Sequence, residues 1–174
     1  MACLSDYTLK GISLDCNANL AGIKVAYLGY KDDFTFATTE GTHKCTISGT
    51  SGAKLYQYDF AKQSGSLTST LTKDEANGTR YYTNELSLSF NKMEGAKHIE
   101  IEAMAAEALV GIVGDNNGKY WVLGVDSYLS SNSATAQAGQ SYSDKNGYDI
   151  TLSSMSAHLP FEIEKADFES FISK

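Results

Sequence analysis

The chain of 174 residues has one proline (Pro160), one tryptophan (Trp121) and one arginine (Arg80). Each scarcity argues against something. Arginine is the side chain best shaped for bidentate contacts to phosphates and base edges, and one arginine on a chain of net charge −7 does not suit a sequence-specific nucleic-acid reader. A lone tryptophan leaves no set of stacking platforms for a glycosidase, which would also need two facing carboxylates. Cys3, Cys16 and Cys45 are odd in number and lack metal-ligand spacing. Reduced, structural thiols are expected, with a disulfide between two of them left open. No apolar run approaches the ~18 residues of a membrane span. Residues Met1 to Tyr7 lack the basic start and apolar core of a secretory leader, so none is expected.

The chemistry-bearing residues are also sparse. His43, His98 and His158 have no second histidine or cysteine at ligand spacing. His43 precedes Cys45 by two residues, but a cysteine nucleophile needs a base held by a third group, and two neighbours on one strand do not supply that. Asp115-Asn116-Asn117-Gly118 and Asp144-Lys145-Asn146-Gly147 lack the full calcium-loop pattern. Gly111, Gly114, Gly118 and Gly124 do not open a helix after a strand, so no phosphate cradle is implied. Glu100, Glu102 and Glu107 read as the wet side of a helix. No catalytic, cofactor-binding or metal-ligating residue is therefore assigned, no cofactor is implied, and an enzyme is not expected.

What is present is β-sheet chemistry. Hydrophobic residues make up 42% of the chain, enough for a core in one domain spanning 1–174. Glycine, serine, threonine and tyrosine are abundant, which suits many strands joined by polar turns. The two Asn-Gly sequences each abut a strand-like run, and such dipeptides favour tight hairpin turns. Strands are expected at 7–14, 22–30, 54–60, 65–73, 79–91, 109–113, 119–124, 147–153 and 159–163. In 22–30, period two groups Ile23, Val25 and Tyr27 on one face. A helix is expected at about 92–107, with Asn91 as N-cap and Glu94 in capping-box position. Its buried seam reads Ile101, Met104, Ala105 and Ala108. Residues 31–53 read as a long loop or an extended hairpin, with a short strand near 44–48. Residues 126–146 read as a second long loop, and a short terminal helix follows from Ala166. The expected class is mainly β: an antiparallel β-sandwich or partly closed barrel with one flanking helix.

Residues 84–90, 94–107, 113–124 and 144–152 give, in order, the end of a long two-stranded hairpin, a helix, a strand pair around Asp-Asn-Asn-Gly-Lys, and Asp-x-Asn-Gly-Tyr-x-x-Thr-Leu. This layout, over about 65–163, resembles virion structural proteins of phages of gut Bacteroidetes and, more broadly, the tail-tube proteins of long-tailed phages and contractile injection systems. The resemblance implies a virion structural protein, made in the host bacterial cytoplasm. It would be a tail-tube or tail-ring subunit that self-assembles into stacked rings, commonly hexamers, as a conduit for DNA ejection. Its implied partners are further copies of itself and other tail or head proteins, with genomic DNA only passing through the bore. The alternatives are a head decoration or head–tail joining subunit, and a β-sandwich carbohydrate or adhesion module.

Overall fold

A computed structural model of the chain describes residues 11–13, 19–39 and 41–173. Twelve strands are described: β1 (Ile23–Tyr30), β2 (Phe34–Thr39), β3 (Lys44–Gly49), β4 (Leu55–Tyr58), β5 (Gly65–Asp74), β6 (Thr79–Asn91), β7 (Leu109–Asp115), β8 (Tyr120–Leu123), β9 (Ser130–Gln137), β10 (Gly147–Ser156), β11 (Phe161–Ile163) and β12 (Ile172–Ser173). Helix α1 (Gly95–Ala106) joins β6 to β7, and the single-turn α2 (Lys165–Phe168) precedes β12. The strand expected at 7–14 falls mostly outside the described residues, and residues 11–13 carry no strand.

The strands form two sheets, one of eight strands in the order β12-β4-β1-β7-β8-β11-β3-β2 and one of four in the order β5-β6-β10-β9. All pairings are antiparallel except β11 with β3 and β12 with β4. The large sheet curls into an open half-barrel, and Phe34 of β2 and Phe171 just before β12 are in edge contact at 5.6 Å. Inside the curl lies one core, made of Val25, Tyr27, Phe34, Cys45, Leu55, Ile112 and others, and Phe168 of α2 plugs it. The outer face of the large sheet packs on the small sheet through a second core that includes Ile23, Ala26, Leu28, Leu86, Leu88, Ile150 and Leu152. The fold is thus mainly β, a partly closed barrel with a second sheet laid on it. β1 and β7 are buried on both faces because they serve both cores.

Several local expectations are corrected. Ile23 does not share a face with Val25 and Tyr27. The β1–β7 register shifts between Ile23 and Val25, and this irregularity turns Ile23 into the second core beside Ala26 and Leu28. Residues 31–53 are the extended hairpin rather than the long loop, with β2 and β3 paired from Phe34↔Gly49 to Thr39↔Lys44. Residues 126–146 are not one long loop either, because they contain β9. Its sequence, Ser-Ser-Asn-Ser-Ala-Thr-Ala-Gln, lacks the apolar alternation of a half-buried strand, and it is a largely exposed edge held by its ladder to β10.

Both Asn-Gly turns also differ in detail. At the first, only Gly118 takes positive φ (83°), while the Gly118 N–H meets the Asp115 carbonyl and Asp115 pairs with Lys119. This is the longer turn with a left-handed glycine, not the two-residue primed form. The second is not a tight two-residue turn: it ends the longer loop of the β9–β10 hairpin, and Gly147, paired with Gln137, is the first residue of β10.

Helix α1 starts later than the capping box implies. Asn91 is still in β6, opposite Gly147, so it cannot cap. Lys92 then turns with φ 64°, and Glu94 becomes the N-cap without a side-chain cap bond. The Glu94 carboxylate pairs with Lys92 and Lys97, while the Tyr148 hydroxyl accepts the Glu94 N–H and donates to its carbonyl. Met104 is buried and Ile101 half-buried in the second core as expected, but Ala105 is exposed and Ala108 lies beyond the helix end. No helix among the described residues is long and apolar enough to cross a membrane.

Candidate functional site

The described histidines do not form a reactive centre with Cys45. His43 sits in the turn before β3, with Nε2 3.0 Å from the Leu159 carbonyl oxygen and its ring stacked on Phe161 at 4.5 Å. His158 approaches the same ring at 5.6 Å. Cys45 is buried in the core inside the curl of the large sheet. It is a free thiol, and burial pushes its pKa up to about 12, which suppresses the nucleophilic thiolate. His98 lies edge-on to Tyr148. Among the described residues no group of three or more His, Cys, Asp or Glu is placed to hold a metal ion.

The acidic turns are internally satisfied. Asp115 accepts the Asn117 and Lys119 N–H groups and the Trp121 indole N–H. Asp144 accepts the Gln140 and Ser141 N–H groups, and these bonds hold its carboxyl below the usual range. Trp121 itself packs against the second core, so it offers no open stacking platform.

The feature without an internal explanation is the small sheet. Its two edge strands, β5 and β9, are long, at ten and eight residues. β9 contains no charge and no proline, and β5 has charges only at its last two positions, Lys73 and Asp74. Natural edges are usually shortened, charged, bulged or covered, because open N–H and C=O groups recruit another strand. Here β9 carries a register shift opposite Thr151 and Leu152, and α1 packs beside it. The large sheet also ends in an edge strand, the six-residue β2, but its other end strand, β12, has only two residues, and Phe34 and Phe171 touch between the two ends.

The sheet's face away from the core is a lattice of hydroxyls. Ser66, Ser87, Thr151 and Ser133 stand in one register row across all four strands. The Ser87 and Thr151 hydroxyls are 3.2 Å apart. Beside this row, Gln63, Ser64, Ser89 and Asp149 help line a shallow open groove of about 410 Å³. Lys145 binds the Asp149 carboxylate and donates to the Ser89 hydroxyl at 2.6 Å. The Lys145 bond holds the Asp149 carboxyl below its ordinary value, against a smaller opposing effect of burial.

The edges and the hydroxyl face were invisible at the level of sequence because strand order is set by long-range pairing. The alternation of Ser66, Thr68 and Thr70 was legible, but nothing in it says which strand is outermost. No protein-family model, curated protein or solved structure matches the chain.

Proposed function

We propose that the protein is a self-assembling structural subunit of a phage virion, forming a tail tube or tail ring by head-to-tail pairing of its small sheet. The observation that carries this is the pair of open edges. Every pairing in the small sheet is antiparallel, so β5 and β10 run one way and β6 and β9 the other. Copies related by rotation about an axis along the strands keep those directions. The β9 of one copy then meets the β5 of the next antiparallel and continues the ladder. Such a heterologous contact makes a ring where the rotation closes. The large sheet and α1 cover one face of the small sheet, so the body lies outside the ring and the hydroxyl face lines the bore.

The virion assignment itself rests on the family-level resemblance of residues 65–163; the edge geometry supports the ring. Native mass spectrometry and negative-stain microscopy at high protein concentration test it, with rings or stacked rings as the expected result. A monodisperse monomer at every salt concentration overturns it and leaves the adhesion-module alternative standing. A single closed ring found only at the head–tail joint of virions would favour the joining-subunit alternative.

A further inference from the structure

The β5–β6 ribbon runs past the rest of its sheet. β10 ends at Ser156, opposite Tyr82, and beyond that row the two strands pair only with each other, Thr72↔Tyr81, Lys73↔Arg80 and Asp74↔Thr79. A free two-stranded ribbon is marginal in water without something to pack on. Strand alternation places Leu71, Lys73, Arg80 and Tyr82 on the same face as Leu67 and Leu86, which is the core-facing side. Among the described residues this stretch is poorly covered, and only Tyr82 of the four is half-buried. Leu71 is 49% exposed, and Lys73 and Arg80 are exposed. Two cations directly opposite on one face disfavour the ribbon. Lys73 finds Glu75 at 2.6 Å, while Arg80 makes no ion pair among the described residues.

A surface of the complementary kind lies at the other edge of the sheet. α1 packs beside β9, on the core side of the small sheet. Its outward stripe is Ile99, Glu102 and Ala106, at i, i+3 and i+7. Ile99 is 69% exposed, and Glu102 is exposed and has no ion pair among the described residues. The helix starts near Tyr148, at the beginning of β10. It leads to Leu109, which bridges Leu129 just before β9. Its last turns therefore reach the same end of the sheet from which the ribbon projects.

The exposed ribbon face and α1 lie on the same side of the sheet but at its opposite edges, so they do not meet within a chain. Pairing β9 with the β5 of the next copy brings them side by side. We infer that the basic, apolar ribbon face formed by Leu71, Lys73, Arg80 and Tyr82 docks on the Ile99–Glu102 stripe of α1 in the neighbouring copy, with Arg80 set against Glu102. The contact rests on the head-to-tail pairing proposed above. It adds a charge-matched clasp that fixes which edge meets which.

A charge swap on the full chain tests the clasp, read by sedimentation velocity over a concentration series. Arg80→Glu and Glu102→Arg should each weaken assembly by roughly tenfold or more, and the double variant should recover to within about threefold of the unaltered protein. Leu71→Ser, at an exposed position, should also weaken assembly at an unchanged urea midpoint. An unaltered protein that assembles, with single variants that assemble equally well or a double variant no better than the worse single, overturns the clasp and leaves edge pairing intact. An unaltered protein that stays monomeric overturns both.

Discussion

Gly147 lies so close to the Phe90 carbonyl that a Cβ placed on it would sit 2.0 Å from that oxygen. Gly147 opens β10 opposite Asn91, where the chain leaves β6 to form α1. The glycine is thus required by the close approach of two backbones, not by turn chemistry. Gly147→Ala should destabilise the protein by about 3 kcal/mol or more, since neither backbone can give way cheaply. Gly78 offers the contrast: it has φ 67° at the open tip of the ribbon, with nothing within 4 Å of an added Cβ. Gly78→Ala should cost only about 1 kcal/mol, the left-handed penalty alone. Urea midpoints that match for the two variants would refute the distinction.

Helix α1 gives a second test of phase. Met104 is 3% exposed in the second core, while Ala105 faces solvent. Met104→Asp buries an unpaired carboxylate and should cost about 3–5 kcal/mol. Ala105→Asp should cost less than about 1 kcal/mol, mostly helix propensity. The sequence seam that included Ala105 predicts two comparable losses, so chemical denaturation of the pair decides between the two phases.

The contrast between these residues indicates what was legible. β6 was readable from end to end because Leu86, Leu88 and Phe90 alternate with serines over a face that is half core and half water. The α1 region was readable from its periodicity, but its start was not, because Asn91 is claimed by Gly147, a residue distant in sequence. β9 was unreadable since an exposed edge imposes no apolar pattern. The candidate assembly edges were unreadable for a related reason: openness is a property of strand order, which no local run encodes. The argument against a reactive histidine–cysteine pair was made from spacing alone, whereas the structure adds that His43 Nε2 meets the Leu159 carbonyl and that burial keeps the Cys45 thiol protonated.

Cys45 should be inert while the fold is intact. Burial raises its thiol pKa from 9.0 to about 12, so the folded state disfavours the thiolate. In a Cys3→Ser, Cys16→Ser background, an aromatic disulfide reagent at pH 8 should modify Cys45 only after urea unfolding. The linkage has a definite sign: the raised folded pKa makes its stabilising effect fully present below pH 9 and progressively lost as pH rises towards 12. The urea midpoint should fall over that window. Rapid labelling of the native protein at pH 8 would show that the thiol is not sequestered in the curl of the large sheet.

The hydroxyl face leads to the last expectation, which concerns DNA. In a ring built by edge pairing, this face lines the bore, and its chemistry can be read row by row. Ser66, Ser87, Thr151 and Ser133 form one row, and Thr68, Glu85, Ser153 and Ser130 form the next. The charges beside them are Glu85 and Asp149, with Lys145 already bound to Asp149. Duplex binding depends on cations that neutralise phosphates and release counterions. A face of hydroxyls with a slight negative excess supplies none to spare, so DNA would slide along it without being held. The assembled protein should therefore show duplex affinity weaker than ~100 µM at ~150 mM salt, at or beyond the weak limit of ordinary non-specific binders. Acidity that served solubility alone would put no constraint on this face in particular. Thr68→Lys with Glu85→Lys, by contrast, should make assembled rings retain DNA in filter binding while leaving the monomer's urea midpoint nearly unchanged. Micromolar or tighter duplex binding by the unaltered protein would overturn the DNA-passage role, as would rings of the lysine variant that retain no more DNA than the original.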